Sequence, residues 1–112
     1  MSATTDRGHR GCLLCGSDNP RSLGLMFQDS SRGGVEAEFQ GGDELQGYDG
    51  LMHGGVIASL LDAAMTHCLF HRGVRAVTGD LNVRYLQPVP CRARLRILAH
   101  LVSSRRPLYS LE

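Results

Sequence analysis

An α+β fold, one long helix lying across an antiparallel sheet, is predicted by three features of the sequence. From Val56 the apolar residues recur at Val56, Ile57, Leu60, Leu61, Ala64, Met65, Cys68 and Leu69, the spacing of a helix with one buried stripe. Val35–Gln40 and Cys91–Val102 instead alternate apolar and polar residues, the period of strands with one covered face. The order of elements is two strands, the helix, then a run of strands, and such a sheet needs one long helix to cover its apolar side.

The helix is the organising element. No proline interrupts it, and His53, Gly54 and Gly55 stand just before it. Two glycines at a helix start leave unpaired N–H groups with no side chain to hold a ligand off. The positive end of the helix dipole adds to their pull on an oxygen gaining negative charge. Asp62 falls well off the apolar stripe, near Ser59 and Thr66, about two turns past the glycines. One segment therefore offers oxyanion donors and a carboxylate.

Upstream, Met1–Gly11 is polar and reads as a flexible end, with a single domain over residues 12–112. His9, Cys12 and Cys15 have the look of zinc ligands, but a closed structural site needs four and only three sit close together. The expectation is a turn with two reduced thiols and no metal. Leu23–Gln28 is a short strand candidate, Gly33-Gly34 a turn, and Val35–Gln40 its hairpin partner, with Val35, Ala37 and Phe39 on one face. Gly41–Gly50 is a glycine- and acid-rich loop, flexible if it serves substrate entry and otherwise a plain connector.

Beyond the helix, Gly73 suits its C-terminal cap. Val77–Leu86 alternates as a strand, ended by Pro88 and Pro90. In Cys91–Val102, Ala93, Leu95, Ile97, Ala99 and Leu101 point inward and Arg92, Arg94 and Arg96 outward. Arg105-Arg106-Pro107 turns the chain into a last strand from Leu108.

The totals exclude several classes. A chain of 112 residues makes one domain, small enough to gain from oligomerisation. A net charge of +1 gives no ground for a nucleic-acid partner. The apolar runs are too short to span a bilayer, so no membrane role is expected. The four cysteines are not spaced as a disulfide framework, which fits a reducing cytoplasm.

His53-Gly54-Gly55 followed by Leu61-Asp62, then Thr78-Gly79-Asp80-Leu81-Asn82-Val83-Arg84-Tyr85 ending in Pro88-Val89, resembles the hotdog-fold acyl-CoA thioesterases. Cys12-x-x-Cys15-Gly16 with Asn19-Pro20 and Leu23-Gly24-Leu25 is similar to the opening of the phenylacetate-pathway, or PaaI-type, branch. The resemblance covers roughly residues 12 to 112 and implies a hydrolase of small or medium acyl- or aryl-CoA thioesters, with no cofactor beyond the coenzyme A of the substrate. It implies a homodimer or homotetramer with the site between subunits. It also implies a C-terminal strand between Val77–Leu86 and the rest of the sheet, so the chain reads either as a fragment that stops before it, the favoured reading, or as one whose gap another chain fills.

The resemblance assigns Asp62 as general base or nucleophile, Gly54 N–H as the group polarising the thioester carbonyl, and Thr78 as a hydroxyl that helps place the water. His53 orients substrate or pins the loop, and pinning is favoured. Gly55, Leu61, Met65, Asn82 and Arg84 are the expected substrate contacts. His67 and His71 share a helix face at metal-ligand spacing but lack a third ligand, Cys68 reads as core, and Cys91 has no adjacent base. The Arg92/Arg94/Arg96 row could receive coenzyme phosphates or pair across strands with Glu36 and Glu38; pairing is favoured for Arg92 and Arg94, and Arg84, Arg105 and Arg106 stay open as coenzyme contacts. A non-catalytic acyl-CoA-binding protein of the same fold is the alternative, and Asp62 argues against it.

Overall fold

The computed structural model describes residues 8–31 and 33–112. Strand β1 (Gln28–Asp29) pairs antiparallel with β2 (Val35–Gln40), which pairs antiparallel with β3 (Arg94–Ala99). Helix α1 (Gly54–Phe70, 17 residues) covers this sheet, and β4 (Leu101–Arg105) with β5 (Leu108–Leu111) forms a second hairpin. The α+β expectation holds.

Register follows from the alternation. Val35 faces Ala99, Ala37 faces Ile97 and Phe39 faces Leu95, so apolar partners line one side of the β2–β3 ladder. All but the half-buried Leu95 are buried, and Leu60, Ala64 and Cys68 of α1 join the same core cluster. Burying a side chain such as Leu60 contributes about 1.5–3 kcal/mol. On the outer face Arg96 reaches Glu36 at 3.2 Å and Arg94 reaches Glu38 at 3.7 Å, as the charge rows suggested. Arg92 departs from that expectation: it lies before the strand and clamps Asp43 through two guanidinium nitrogens, at 2.7 and 2.5 Å.

Three strand expectations are corrected. Leu23–Gln28 forms strand only at its end, because Leu23 and Leu25 give their N–H groups to Leu13 and Leu14 of the preceding turn. The Cys91–Val102 run starts as strand only at Arg94, since the Cys91 N–H donates to Gly50 and the Ala93 N–H to Pro90. It also breaks at His100, whose backbone pairs with Glu112. Val77–Leu86 is not a strand at all. It has no ladder partner among the described residues, and Val77 is 95% exposed. Alternation marks a chain able to join a sheet, but ladder bonds need a neighbour.

The buried face of α1 is turned from the expected stripe. Ala63, His67 and Phe70 are buried, whereas Leu61 and Met65 are half-buried. The cause is the N-terminal segment: Cys12, Leu14 and Cys15 pack on the core, and the His9 ring meets Phe70 edge-on at 4.7 Å. Of the expected flexible end, residues 1–7 lie outside the described residues. Past the helix, Gly73 (φ 77°) gives its N–H to Phe70 and turns the chain away. No helix among the described residues is long and apolar enough to cross a membrane.

Candidate active site at the start of the helix

His53 is the N-cap of α1. Its Nδ1 accepts the Gly55 N–H at 2.8 Å, and its carbonyl accepts the N–H groups of Val56 and Ile57. The imidazole thus uses Nδ1 on the helix and carries its proton on Nε2 when neutral. That geometry suits the pinning role. It also spends the Gly55 N–H, so Gly55 has no amide left for a substrate.

The Gly54 N–H makes no hydrogen bond among the described residues. It stands in the first turn, where the helix supplies no acceptor and the dipole favours negative charge. Tyr85 covers this glycine from the side. Its hydroxyl donates to the Gly54 carbonyl at 2.8 Å, and its ring lies 3.5 Å from where a Cβ would stand. Tyr85 was not picked out as a site residue by the sequence. The signal was there, an aromatic just before Pro88 and Pro90, but its meeting with Gly54 is a long-range contact.

Beside Gly54 lies a groove of about 720 Å³, walled by Tyr48, Leu51, Ile57, Leu86 and Pro88. Its floor is held in place. Gly41–Gly50 contains a 3-10 turn at Asp43–Leu45, the His53 N–H donates to Leu45, and the Gly47 N–H donates to Leu51. Arg92 locks Asp43 from outside, and its hydrogen bonds hold the Asp43 carboxyl below the usual carboxylate range despite some desolvation. This loop is a hydrogen-bonded connector.

Asp62 is half-buried on α1, and the Thr78 hydroxyl donates to its Oδ1 at 2.5 Å. The two residues are 16 apart in the chain. Asp62, Met65, Thr78 and Asn82 line a second cavity, of about 500 Å³, closed on its far side by Tyr109 and Leu111. Among the expected substrate contacts, Met65 and Asn82 therefore join Asp62. Leu61 packs against the core instead, and Arg84 is exposed with no ion pair among the described residues. Arg105, the last residue of β4, and Arg106, in the turn after it, are exposed beside Pro107 on the rim of that cavity.

Gly54 and Asp62 thus open on different cavities of one chain, about 12 Å apart along the helix axis. A reacting carbonyl cannot touch both within a single copy.

Residues 49–108 match the thioesterase superfamily. The chain belongs to that superfamily. A solved structure titled as a thioesterase superfamily protein superposes with a TM-score of 0.83 at 26% identity, covering 91% of this chain and 53% of that one. Another from the same superfamily gives 0.73 at 20% identity, covering 98% and 83%, a likeness of fold. The arrangement of helix and sheet is the hotdog fold. Acyl-coenzyme A thioesterase THEM4 of Rattus norvegicus is 38% identical over 65 residues, 58% of this chain and 28% of that protein. Acyl-coenzyme A thioesterase 13 of Mus musculus is 33% identical over 61 residues, 53% of this chain and 44% of that protein. The match spans less than half the length of these curated relatives. His53, Gly54, Asp62, Thr78 and Tyr85 of this thioesterase-superfamily chain all lie inside the matched region.

Proposed function

We propose that the protein hydrolyses the thioester of a small or medium acyl- or aryl-coenzyme A, as a member of the PaaI-type branch. The observation that carries this reading is that one helix presents both a Gly54 N–H with no partner among the described residues and a carboxylate, Asp62, held by the Thr78 hydroxyl. The names of the acyl-coenzyme A thioesterase relatives support the substrate class.

In the reaction, Asp62 takes a proton from water as the water oxygen bonds to the thioester carbon. The carbonyl oxygen gains negative charge against the Gly54 N–H, which costs no reorganisation because that N–H is already free. The carbon–sulfur bond then breaks, and the coenzyme A thiolate leaves and takes up a proton. Direct attack by the Asp62 carboxylate, followed by hydrolysis of the anhydride, uses the same two groups. Since one copy holds Gly54 and Asp62 on separate cavities, the site is completed between two copies, Gly54 from one and Asp62 from the other. The apolar groove beside Gly54 lies in the size range of ligand pockets and suits an acyl group or the pantetheine arm. No resident cofactor is needed. None of the described cysteines forms a disulfide, which suits a reducing cytoplasm.

The test is a hydrolysis screen across short, medium, long and aryl acyl-CoAs, followed by Asp62→Asn on the best substrate. That change keeps the shape and removes the charge. The variant is expected to fold and bind acyl-CoA while kcat falls about a hundredfold or more. Near-equal rates would leave Asp62 a solvated flank residue and favour a binding protein of the same fold.

A further inference from the structure

We propose that His9, Cys12 and Cys15, joined by His67 from α1, form a tetrahedral site for a thiophilic divalent cation, foremost Zn²⁺. The sequence offers three ligands; the fold brings the fourth.

The turn is already built for the purpose. The ligand atoms of His9, Cys12 and Cys15 all lie within 4.8 Å of one another, with Cys15 Sγ 3.6 Å from His9 Nδ1. The Cys12 N–H donates to His9 at 3.0 Å and the Gly16 N–H to Cys12 at 2.8 Å, closing the loop around its two sulfurs. A Cβ at position 16 would overlap the Cys12 backbone, so only glycine closes it this tightly. The Leu14 N–H points at Cys12 Sγ at 3.3 Å. A thiol is a weak acceptor and a metal-bound thiolate a much better one, so this amide is placed as an outer-shell donor.

The independent observation is His67. It is 2% exposed, and among the described residues neither of its ring nitrogens has a hydrogen-bond partner. A buried polar atom without a partner costs about 1–3 kcal/mol, and such atoms call for an explanation. His67 stacks on Phe27 at 4.7 Å and lines, with His9, Cys12 and Cys15, one small cavity of about 130 Å³. The ring centres of His9 and His67 are 6.3 Å apart. Two imidazoles on one tetrahedral Zn²⁺ sit roughly 5 Å apart, given Zn–N lengths of about 2.1 Å, so the two rings would close on one another by about 1 Å when both bind the ion. Two sulfurs and two nitrogens in a tetrahedron are a zinc-type donor set. Binding leaves both imidazoles neutral and releases one proton from each thiol. Asp62 also borders this cavity but is engaged by Thr78, which favours His67 as the fourth ligand. The ion would clip the N-terminal turn to the flank of α1 just past Asp62.

The experiment uses the full chain, reduced and stripped with a chelator, titrated anaerobically with Co²⁺ and then Zn²⁺. One equivalent of Co²⁺ is expected, with thiolate-to-cobalt charge transfer in the near ultraviolet and the strong visible bands of a tetrahedral ion. Zn²⁺ should displace it mole for mole and raise Tm. Cys12→Ser and Cys15→Ser should each weaken binding at least a hundredfold. His67→Phe keeps an aromatic ring against Phe27 and should weaken it at least tenfold and alter the visible bands. Wild-type protein without thiolate charge transfer, or binding no tighter than the double cysteine variant, overturns the site. So does His67→Phe with unchanged affinity and spectrum, because the closed four-ligand set is then wrong.

Discussion

The Thr78 hydroxyl donates to Asp62 Oδ1 across the gap between α1 and the extended stretch that follows it. This bond fixes which carboxylate oxygen stays open to water. Thr78→Val keeps the shape and removes the donor. Hydrogen bonds to charged groups are worth about 1.5–3 kcal/mol, so kcat is expected to fall about 10- to 100-fold with little change in Tm. Thr78→Ser should recover most of the rate, and steady-state kinetics on the three proteins check the ordering.

Gly54→Pro removes the amide that would hold the oxyanion without breaking the helix. Proline is well tolerated at the first helical position, and His53 before it already has φ −60° and ψ 133°, the extended conformation a proline demands of its neighbour. Circular dichroism and Tm are expected to stay near wild type while kcat/KM falls by about 10²- to 10³-fold. Full activity in this variant would remove Gly54 from the mechanism.

Because Gly54 and Asp62 line separate cavities, activity should depend on association. Light scattering is expected to report a dimer or tetramer. Co-refolding Gly54→Pro with Asp62→Asn should restore activity to at most about a quarter of wild type, since half the dimers are mixed and each mixed dimer holds one intact site. No recovery from two assembled but inactive variants would place the site within a single chain.

The Asp43–Arg92 clamp predicts a pH effect. The Arg92 hydrogen bonds lower the Asp43 pKa below its ordinary 3.8, so the unfolded chain binds that proton more readily than the folded one. The stabilisation is present above pH 3.8 and is lost as pH falls through the lower folded value. Asp43→Asn is therefore expected to lower Tm slightly at neutral pH, with the difference from wild type shrinking as pH falls below 3.8 in a thermal melt series.

Much of the scaffold was legible in the sequence. Val35–Gln40 appeared with the bounds it has in the fold, α1 within a few residues, and the Glu36/Glu38 row met Arg94 and Arg96 as the alternation implied. Val77–Leu86 was misread, because alternation reports a side-chain period and says nothing of whether a neighbouring strand exists. The flank of α1 was misread for a similar reason: a helical wheel cannot foresee that His9 and Cys15 will bury Ala63, His67 and Phe70.

The sequence by itself determined what local periodicity and backbone chemistry can carry: one amphipathic helix opened by two glycines, a hairpin, and a carboxylate at fixed spacing from the helix start. These depend on residues a few positions apart. Only the tertiary structure decided that Thr78 holds Asp62, that Tyr85 covers Gly54, and that His67 lies buried beside two thiols with no hydrogen-bond partner among the described residues. Those contacts join residues 16, 31 and more than 50 positions apart, and they exist only once the core has closed and desolvated the groups that meet there.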